Sequence, residues 1–373
     1  MVFFSIIALF YVFFTLGLYY YWSRISVFKF PEYPPHTSLS VIIPVRNEAE
    51  NIGLLLKDIE KQNYPRSLFE VLVVNDFSED QTAQVVEDFF RNSCLNGKLI
   101  QTAVFDKLQG KKAALVTGIK QASGTLILTT DGDCRVGKDW LRSIAAFYEE
   151  KGFKLITAPV FFIKKPGLFS RMQFLEFSTL IGAGAATLQA GFPSMCNGAN
   201  LAFEKKTFAE VKGYAGNEAV ASGDDEFLLH KISKKFPGKS GFLKSIEAIV
   251  ETTAPATINS FYNQRKRWAS KWAFYKNPAN KILAVCVFAF NFCFVALLVF
   301  FLAGLLSLPE FLLLYASKFL VEFVFLYKVL LFSKKEFNWM AFIILQFIYP
   351  FYVSFFAITN KAGTYYWKGR ILK

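Results

Sequence analysis

The stretch GTLILTTDGD, residues 124–133, decides the fold prediction for this chain of 373 residues. Its aliphatic and β-branched side chains predict a short buried strand. Two carboxylates, Asp131 and Asp133, follow the strand on either side of Gly132. Hard oxygen ligands at this spacing suit Mg²⁺ or Mn²⁺ bound together with a phosphate-bearing ligand. An isolated Asp-Gly-Asp could equally be a solvated turn. The prediction of a metal site therefore depends on the position of this Asp-Gly-Asp directly after a strand.

Other short apolar runs flank this strand and alternate with helical patterns. We predict strands at residues 38–45, 69–76 and 98–105, an extended segment at 153–162, and helices at 48–61, 80–91, 111–122 and 138–150. The alternation predicts an α/β fold, a mostly parallel sheet with helices on both faces. Ligands of such sheets bind at the carboxyl ends of the strands, which is where Asp76 and the acidic pair fall.

Three carboxylates outside the acidic pair are also candidates. Asp76 ends an apolar run, where it could accept hydrogen bonds from a nucleotide base or ribose. Asp224 and Asp225 begin a helical pattern, and one of them could act as a general base. Glu226 follows them, and the alternative for Asp224 or Glu226 is a favourable interaction with the helix dipole.

The segment QRKRW, residues 264–268, combines an amide, cations and an indole. Arg267 could bind diphosphate oxygens in a bidentate manner, and Trp268 could stack against a sugar or line an acceptor path. The alternative is a basic segment beside a membrane, with Trp268 at the interface.

Three long runs contain no Asp, Glu, Lys or Arg. They cover residues 1–23, 282–309 and 337–360, and each exceeds the roughly 20 helical residues that cross a hydrocarbon core. We predict an N-terminal transmembrane anchor at 1–23 and a C-terminal transmembrane region of about three helices at 282–358. These runs exclude a simple soluble enzyme, a disordered chain and a small disulfide-rich one.

Some segments near the membrane carry charge. Lys318, Glu322 and Lys328 lie within a further predicted span at 311–332, and at membrane depth we expect them to face protein or a cavity. Residues 166–193 are apolar and rich in small side chains, which predicts a helix lying at the membrane surface. An ordinary buried helix is the alternative for 166–193.

The net charge of +13 is concentrated beside the membrane, with six Lys and Arg side chains in residues 265–281. The positive-inside rule predicts a multi-pass protein of the cell membrane whose domain at 38–275 is cytoplasmic. No recognition motif for nucleic acid accompanies the charge, so we expect no such partner. Four spans would return the chain to the outer side, yet Lys361, Lys368, Arg370 and Lys373 are typical of a cytoplasmic tail. Either one run is not a full span or the rule fails here.

The five cysteines show no CxxC spacing and accompany only two histidines. We predict that they are reduced and that the chain has no zinc site.

Together these segments resemble the family-2 glycosyltransferases with a GT-A fold, over about residues 38–275. The matching segments in chain order are SVIIPVRNEAENI (40–52), VLVVNDFSEDQT (71–82), GKKAAL (110–115), TTDGDC (129–134), NGANLAF (197–203), SGDDEF (222–227) and QRKRW (264–268). The chain departs from the family pattern at two places. Asn75 stands where many members carry Asp, and Asp224 precedes Asp225 where Glu is commoner.

The resemblance implies a role for each motif residue. Asp225, with Asp224 beside it, would be the catalytic base, and Asp133 with Asp131 would bind Mg²⁺ or Mn²⁺. Asn197 and Gly198 would lie on the acceptor side, together with Trp268. The donor-binding residues would be Pro44, Arg46, Glu48, Asp76, Lys111, Asp131, Gln264, Arg267 and Trp268.

The resemblance implies a membrane-embedded, inverting glycosyltransferase that moves a sugar from a nucleotide-diphosphate sugar, with a UDP-sugar expected, to a membrane lipid. The segment TYYWKGR, residues 364–370, resembles the tail of ceramide-glucosyltransferase-like members. The alternative is a processive synthase that extends and exports a polysaccharide. A transporter or channel with a nucleotide-sensing domain is a more remote alternative, and the chain has no GxxxxGK[ST] loop to support it.

Overall fold

The computed structural model describes residues 2–105, 108–218, 222–270, 274, 278–359, 365–367 and 370–372. The chain divides into two compact units. The helical unit comprises Met1–Arg24, Lys164–Phe192 and Ala254–Tyr365, and the sheet unit comprises Ile25–Ile163, Pro193–Thr253 and Tyr366–Lys373. Five lysines of the basic segments predicted from the sequence lie outside the described residues, namely Lys271, Lys276, Lys361, Lys368 and Lys373.

A seven-stranded sheet forms the core of the sheet unit, in the order β3-β2-β1-β4-β8-β6-β9. Its strands are β1 (Leu39–Val45), β2 (Phe69–Asn75), β3 (Gly97–Gln101), β4 (Leu126–Thr129), β6 (Leu155–Thr157), β8 (Leu201–Glu204) and β9 (Ser240–Phe242). The central strand β1 pairs in parallel with β2 and with β4, whereas β8 runs antiparallel to its two neighbours. The mostly parallel sheet expected from the sequence is confirmed.

The central strands are continuous apolar runs because both faces of the sheet are covered. Every residue of β2 and of β4 is buried. The helices of this unit follow the strands in the sequence, as their patterns predict. They are α2 (Ile52–Glu60), α3 (Thr82–Asn92), α4 (Gly110–Gln121), α5 (Trp140–Lys151), α7 (Lys205–Glu210) and α8 (Asp224–Lys235).

The extended segment predicted at residues 153–162 is divided between two sheets. Residues 153–162 form two short strands in different sheets, β6 in the main sheet and β7 (Val160–Phe162) in a three-stranded sheet. The other strands of that second sheet are β5 (Arg135–Val136) and β10 (Val250–Thr252). Pro159 lies between β6 and β7, and proline has no N–H to continue a ladder of hydrogen bonds. The chain therefore changes sheets at this proline.

The helical unit contains α1 (Val2–Arg24), α6 (Leu168–Gln189), α9 (Ile258–Ser270), α10 (Pro278–Leu302), α11 (Leu308–Ser333) and α12 (Trp339–Thr359). Among the described residues, three helices are long and apolar enough to cross a membrane. They are Val2–Arg24, Asn280–Leu302 and Trp339–Thr359. This chain is therefore expected to be a membrane protein. The span predicted at 311–332 is a helix, but α11 is not one of the three, and it carries four charged residues.

Two charged side chains of α11, Lys318 and Glu322, contact other protein groups, as the sequence predicts, and the expectation for Lys328 stays a prediction. The buried Lys318 ammonium lies 3.0 Å from Glu322 Oε1 and donates to Gln346 Oε1 at 2.7 Å. Gln346 also donates to Glu322 Oε2 at 2.9 Å. A lysine that is unpaired in an apolar interior would be costly, so this network offsets the burial of its charge.

The helix expected at 166–193 is confirmed as α6, which packs against α1, α11 and α12. A Cβ added at Gly182 would lie 2.5 Å from Val329 Cγ2, so this small residue allows α6 and α11 to approach closely. The packing agrees with the alternative of a buried helix, and a place at the membrane surface stays a prediction. All five cysteines are free, as expected.

Candidate active site

The carboxyl ends of β2, β1 and β4 meet at one edge of the sheet, because these three parallel strands are neighbours. The segments that follow them carry the candidate residues. Arg46 and Glu48 follow β1, Asp76 follows β2, and Asp131 and Asp133 follow β4. The sheet therefore brings together groups that are up to 87 residues apart in the sequence.

Gly132 allows the acidic pair to lie against the end of β1. A Cβ at this position would lie 2.9 Å from Val45 Cγ1 and 3.1 Å from Glu48 Cγ. Asp133 Oδ2 accepts a hydrogen bond from Thr252 Oγ1 at 3.1 Å. The turn between the two carboxylates is thus packed against the sheet unit, which fixes where both side chains lie.

Gly132→Ala should lower turnover by about 10²-fold, because a displacement of roughly 1 Å at catalytic groups costs that much. The added methyl group must push the Asp131–Asp133 turn away from Val45 and Glu48. Gly137→Ala is the matched control, since its Cβ would meet only Glu247 O at 3.8 Å. Steady-state kinetics on both variants test this, and equal activity would show that the turn tolerates the shift.

Lys111 lies among the carboxylates of the site. Its ammonium pairs with Asp131 Oδ1, and a Cβ built at Gly198 would lie 3.5 Å from Lys111 Nζ and 3.4 Å from Asp224 Oδ2. Burial alone would lower the pKa of Lys111, but the charges of Asp131 and Asp224 outweigh burial and raise it. Lys111 is therefore a permanent cation surrounded by acids.

Asp225 is held by two backbone groups. Its Oδ2 accepts from the Gly198 N–H at 2.9 Å, and its Oδ1 accepts from the Glu226 N–H at 2.8 Å. Gly223, just before α8, has a φ of 79°, a conformation that glycine adopts without strain. These two backbone donors therefore fix the orientation of the Asp225 carboxylate.

Asp224 is the more deeply buried of the two acids. Burial raises its pKa, the carboxylates of Asp225 and Asp131 raise it further, and Lys111 only partly offsets the rise. A raised pKa means that the folded protein binds the proton more tightly than the unfolded chain does. Ionised Asp224 therefore lowers the stability of the fold at neutral pH.

Asp224→Asn should stabilise the protein at neutral pH by about 0.5–2 kcal/mol, the usual gain from relieving an unfavourable charge. The stability of the native sequence should fall as pH rises from about 3.9, the ordinary carboxyl pKa, through the raised pKa of Asp224. The variant should lack this part of the decline. Thermal unfolding in detergent across this pH range tests it, and identical profiles would contradict it.

The loop after β2 is held by arginine and amide side chains. Arg46 Nη1 donates to the Asp76 carbonyl at 3.0 Å and to the Phe77 carbonyl, and Nη2 pairs with Glu79 at 2.6 Å. Asn75 Oδ1 accepts from the Ser78 N–H at 3.1 Å. Arg46 and Asn75 thus shape the loop that carries Asp76, and a direct contact of Arg46 with a donor stays a prediction.

Three further predicted residues have local roles in the sheet unit. Pro44 is a half-buried residue of β1, and Glu48 accepts from Asn51 Nδ2 at 2.8 Å. Asn197 accepts from the Ala199 N–H at 2.9 Å and so caps the turn that contains Gly198. Thr129 Oγ1 donates to the Gly198 carbonyl at 2.7 Å, which ties the predicted acceptor segment to the end of β4.

The QRKRW segment lies on α9 in the helical unit, whereas the acidic residues lie in the sheet unit. Its most buried side chain is Arg265, which is 5% exposed and pairs with Glu176 at 2.6 Å. The Arg265 guanidinium lies 4.3 Å from the ring centroid of Trp268, and it also donates to Gln264 Oε1. Arg265 thus orders the motif from within, and the donor roles of Gln264, Arg267 and Trp268 stay predictions.

The carboxylates of the sheet unit fit a divalent cation that is shared with a diphosphate. The described residues contain no cluster of three or more His, Cys, Asp or Glu that could hold a metal ion alone. A pair of carboxylates, Asp131 and Asp133, beside an excess of acid around Lys111 suits Mg²⁺ or Mn²⁺, which usually takes its other ligands from phosphates and water. The donor set agrees with the cation expected from the sequence.

Sequence reasoning missed two partners of predicted residues. Glu176 lies 89 residues from Arg265, and Arg370 pairs with Asp76 from 294 residues away. A lone Glu in the apolar run at 166–193 is a signal for the first. Nothing in the sequence indicates the second.

The sheet unit has a mostly parallel sheet with an acidic pair at the end of a central strand, and a second acidic pair beside the partly buried Lys111. These features define a nucleotide-sugar transferase of the GT-A class. The chain belongs to glycosyl transferase family group 2, whose model matches residues 126–358. The model of glycosyl transferase family 2 matches residues 40–207. The family expected from the sequence is confirmed.

Curated relatives support this assignment. Glycosyltransferase AglE of Haloferax volcanii is 34% identical over 142 residues, which are 38% of this chain and 45% of that protein. Poly-beta-1,6-N-acetyl-D-glucosamine synthase of Staphylococcus epidermidis is 26% identical over 239 residues, 62% of this chain and 53% of that protein. The chain spans about half the length of these curated relatives.

The fold is similar to that of the mannosyltransferase PcManGT from Pyrobaculum calidifontis, solved in complex with GDP-Man and Mn²⁺. The TM-score is 0.62, the identity is 21%, and the match covers 96% of this chain and 99% of that one. At this identity the likeness confirms the GT-A-like fold.

Proposed function

We propose that this protein is a membrane-embedded, inverting glycosyltransferase that transfers one sugar from a nucleotide-diphosphate sugar, a UDP-sugar first, to a membrane lipid. The observation that carries the proposal is the position of Lys111 among Asp131, Asp224 and Asp225 beside Gly198. A diphosphate needs a positive charge, whereas a divalent cation and an attacking hydroxyl need carboxylates. This cluster supplies a lysine and carboxylates within one site.

On the donor side, Asp131 and Asp133 would hold Mg²⁺ or Mn²⁺, which when bound neutralises charge on the departing diphosphate. The similar fold of PcManGT was solved with GDP-Man and Mn²⁺, which supports this assignment. The Lys111 ammonium would donate to the diphosphate while it remains paired with Asp131. The charges of Asp131 and Asp224 raise the pKa of Lys111, so it is a cation at neutral pH.

On the acceptor side, Asp225 would take the proton from the attacking hydroxyl. The Gly198 and Glu226 N–H groups hold its carboxylate in one orientation, so little reorganisation is needed when the hydroxyl approaches. The hydroxyl oxygen then forms a bond to the anomeric carbon as the bond from that carbon to the diphosphate breaks. A single displacement of this kind inverts the configuration of the sugar.

A lipid acceptor is favoured by the three helices that are long and apolar enough to cross a membrane. Acceptor and enzyme would then share the bilayer, with the sheet unit on the cytoplasmic side according to the positive-inside rule. The second candidate is processive synthesis of a polysaccharide. It is supported by the similarity over 239 residues to a poly-beta-1,6-N-acetyl-D-glucosamine synthase.

The test is a donor screen with the purified full chain, total membrane lipids and Mn²⁺. An organic-soluble product that carries one sugar, identified by mass, is the expected result. A long water-soluble polymer made without added lipid would favour the synthase instead. Absence of transfer from every UDP- and GDP-sugar would contradict the proposed enzyme.

A further inference from the structure

Arg370 makes a partly buried ion pair with Asp76 inside the sheet unit. Arg370 begins β12 (Arg370–Leu372), which pairs with β11 (Tyr365–Trp367) in a two-stranded sheet. Its Nη1 lies 2.9 Å from Asp76 Oδ2, and its Nη2 donates to the Asp76 carbonyl at 3.3 Å. The Asp76 side chain is 4% exposed and that of Arg370 is 28% exposed. One guanidinium thus covers the carboxylate and reaches the backbone of the same residue.

Stability alone is a weak reason for this pair. Removing two charges from water costs about as much as their attraction returns, so a buried ion pair contributes little net stability. The loop that carries Asp76 is already held by Arg46, which donates to the Asp76 and Phe77 carbonyls. A second arginine at the same turn therefore calls for a further role.

The surroundings of the pair suit a flat, polar ring. Asp76 directly follows β2, at the sheet edge where ligands of such folds bind. The next residue, Phe77, is 45% exposed, and the Arg370 guanidinium lies 5.9 Å from the centroid of its ring. A partly exposed guanidinium, a carboxylate and an exposed aromatic ring thus lie side by side. A nucleobase edge carries hydrogen-bond donors beside acceptors, and its face stacks on aromatic rings.

The pair leaves hydrogen-bonding capacity for such a ligand. A guanidinium has five N–H groups and a carboxylate accepts about four hydrogen bonds, whereas the pair uses two N–H groups and one lone pair of Oδ2. Arg370 also neutralises Asp76, whose charge would otherwise repel an anionic nucleotide. The same contact thus removes repulsion and offers a donor next to an acceptor.

We propose that Arg370 is a nucleoside-binding residue of the donor site, which together with Asp76 recognises the nucleobase or ribose of a nucleoside diphosphate. The inference rests on the proposed function, since it assigns a new residue to the donor of that reaction. Arg370 acts on the nucleoside, whereas Asp131 and Asp133 act on the diphosphate. This division predicts that the effect of Arg370 does not depend on the metal.

The test measures nucleotide binding to the purified full chain by isothermal titration calorimetry, with UDP, GDP, ADP and CDP, and with UMP or the monophosphate of the tightest binder. Arg370→Ala should weaken the monophosphate and the diphosphate by the same factor, about 10–100-fold, with or without Mn²⁺. This factor corresponds to the loss of charge-assisted hydrogen bonds. Arg370→Lys keeps the charge but not the planar fork, so a smaller loss is expected. If Arg370→Ala does not fold, Arg370→Lys allows the same comparison of monophosphate with diphosphate binding.

The matched control is Arg91→Ala, an exposed arginine of α3 paired with Asp88, which should bind nucleotides as the native sequence does. Unchanged binding by the Arg370 variants would overturn the inference. Tighter binding would also overturn it, because it would show that Arg370 competes with the nucleotide for Asp76. A loss confined to the diphosphate with Mn²⁺ would also overturn it. If the native sequence bound no nucleotide at all, the proposed function itself would fail.

Discussion

Asp225→Asn is expected to lower the rate of sugar transfer by about 10²–10⁴-fold, the usual cost of losing a general base. An amide cannot take the proton from the acceptor hydroxyl, so the displacement loses its proton acceptor. Donor affinity should stay within about threefold, because a base that acts on the acceptor contributes little to ground-state binding of the donor. Measurements of kcat and of UDP affinity on the same preparation separate these two effects.

In the structure Asp225 also holds Gly198 in position, and the experiment must separate this role from that of a general base. Its Oδ2 accepts from the Gly198 N–H, and the NH₂ group of Asn could face that donor and move Gly198. A pH profile distinguishes the two roles. Loss of a base removes the acidic limb of the profile, whereas a displaced Gly198 lowers the rate at all pH values and leaves the limb in place.

Asp224→Asn is the matched control, because it removes a carboxyl group from the adjacent position. Asp224 is buried and has a raised pKa, and we expect its variant to keep transfer within about tenfold. The converse result, loss of transfer in Asp224→Asn and retention in Asp225→Asn, would move the base to Asp224 and shift the alignment of the motif by one residue.

The sequence predicted those parts of the fold that depend on local patterns. The apolar runs of β1, β2 and β4 could be identified because strands buried on both faces carry little else. Their parallel pairing then placed Asp76 and the Asp131–Asp133 pair at one sheet edge. The division of 153–162 was missed because the run is mostly apolar on both sides of Pro159, and only this proline marks the change of sheet.

Contacts between distant segments could not be predicted in the same way. Arg370 and Asp76 are 294 residues apart, and no periodicity or motif spacing links one basic residue to one acid. The same holds for the QRKRW segment. The sequence pointed to Arg267 as the important arginine, whereas the arginine buried in the structure is Arg265, which pairs with Glu176. Side-chain partners in these cases are set by tertiary packing, which a local pattern does not contain.

Asp133→Ala should lower kcat/KM by about 10²–10³-fold and weaken the binding of both Mn²⁺ and UDP-sugar. A metal ion contributes several kcal/mol by neutralising the charge of a transferring phosphate group, and Asp133 is one of its two expected carboxylate ligands. Unlike the loss in Arg370→Ala, this loss should be confined to diphosphates and should require the metal. UMP should therefore bind Asp133→Ala as it binds the native sequence.

A control variant tests whether the loss of any one carboxylate lowers activity. Asp88→Ala removes an exposed carboxylate of α3 that pairs with Arg91, and a surface pair of this kind contributes at most about 1 kcal/mol. Its kinetics should match those of the native sequence. Asp133 also accepts from Thr252 Oγ1 at 3.1 Å, so Thr252→Val reports how much of the loss comes from support of the carboxylate alone. If the native sequence kept full activity in excess chelator, neither Asp131 nor Asp133 could be a metal ligand during turnover, and the donor would have to be bound by Lys111 and the backbone without a cation.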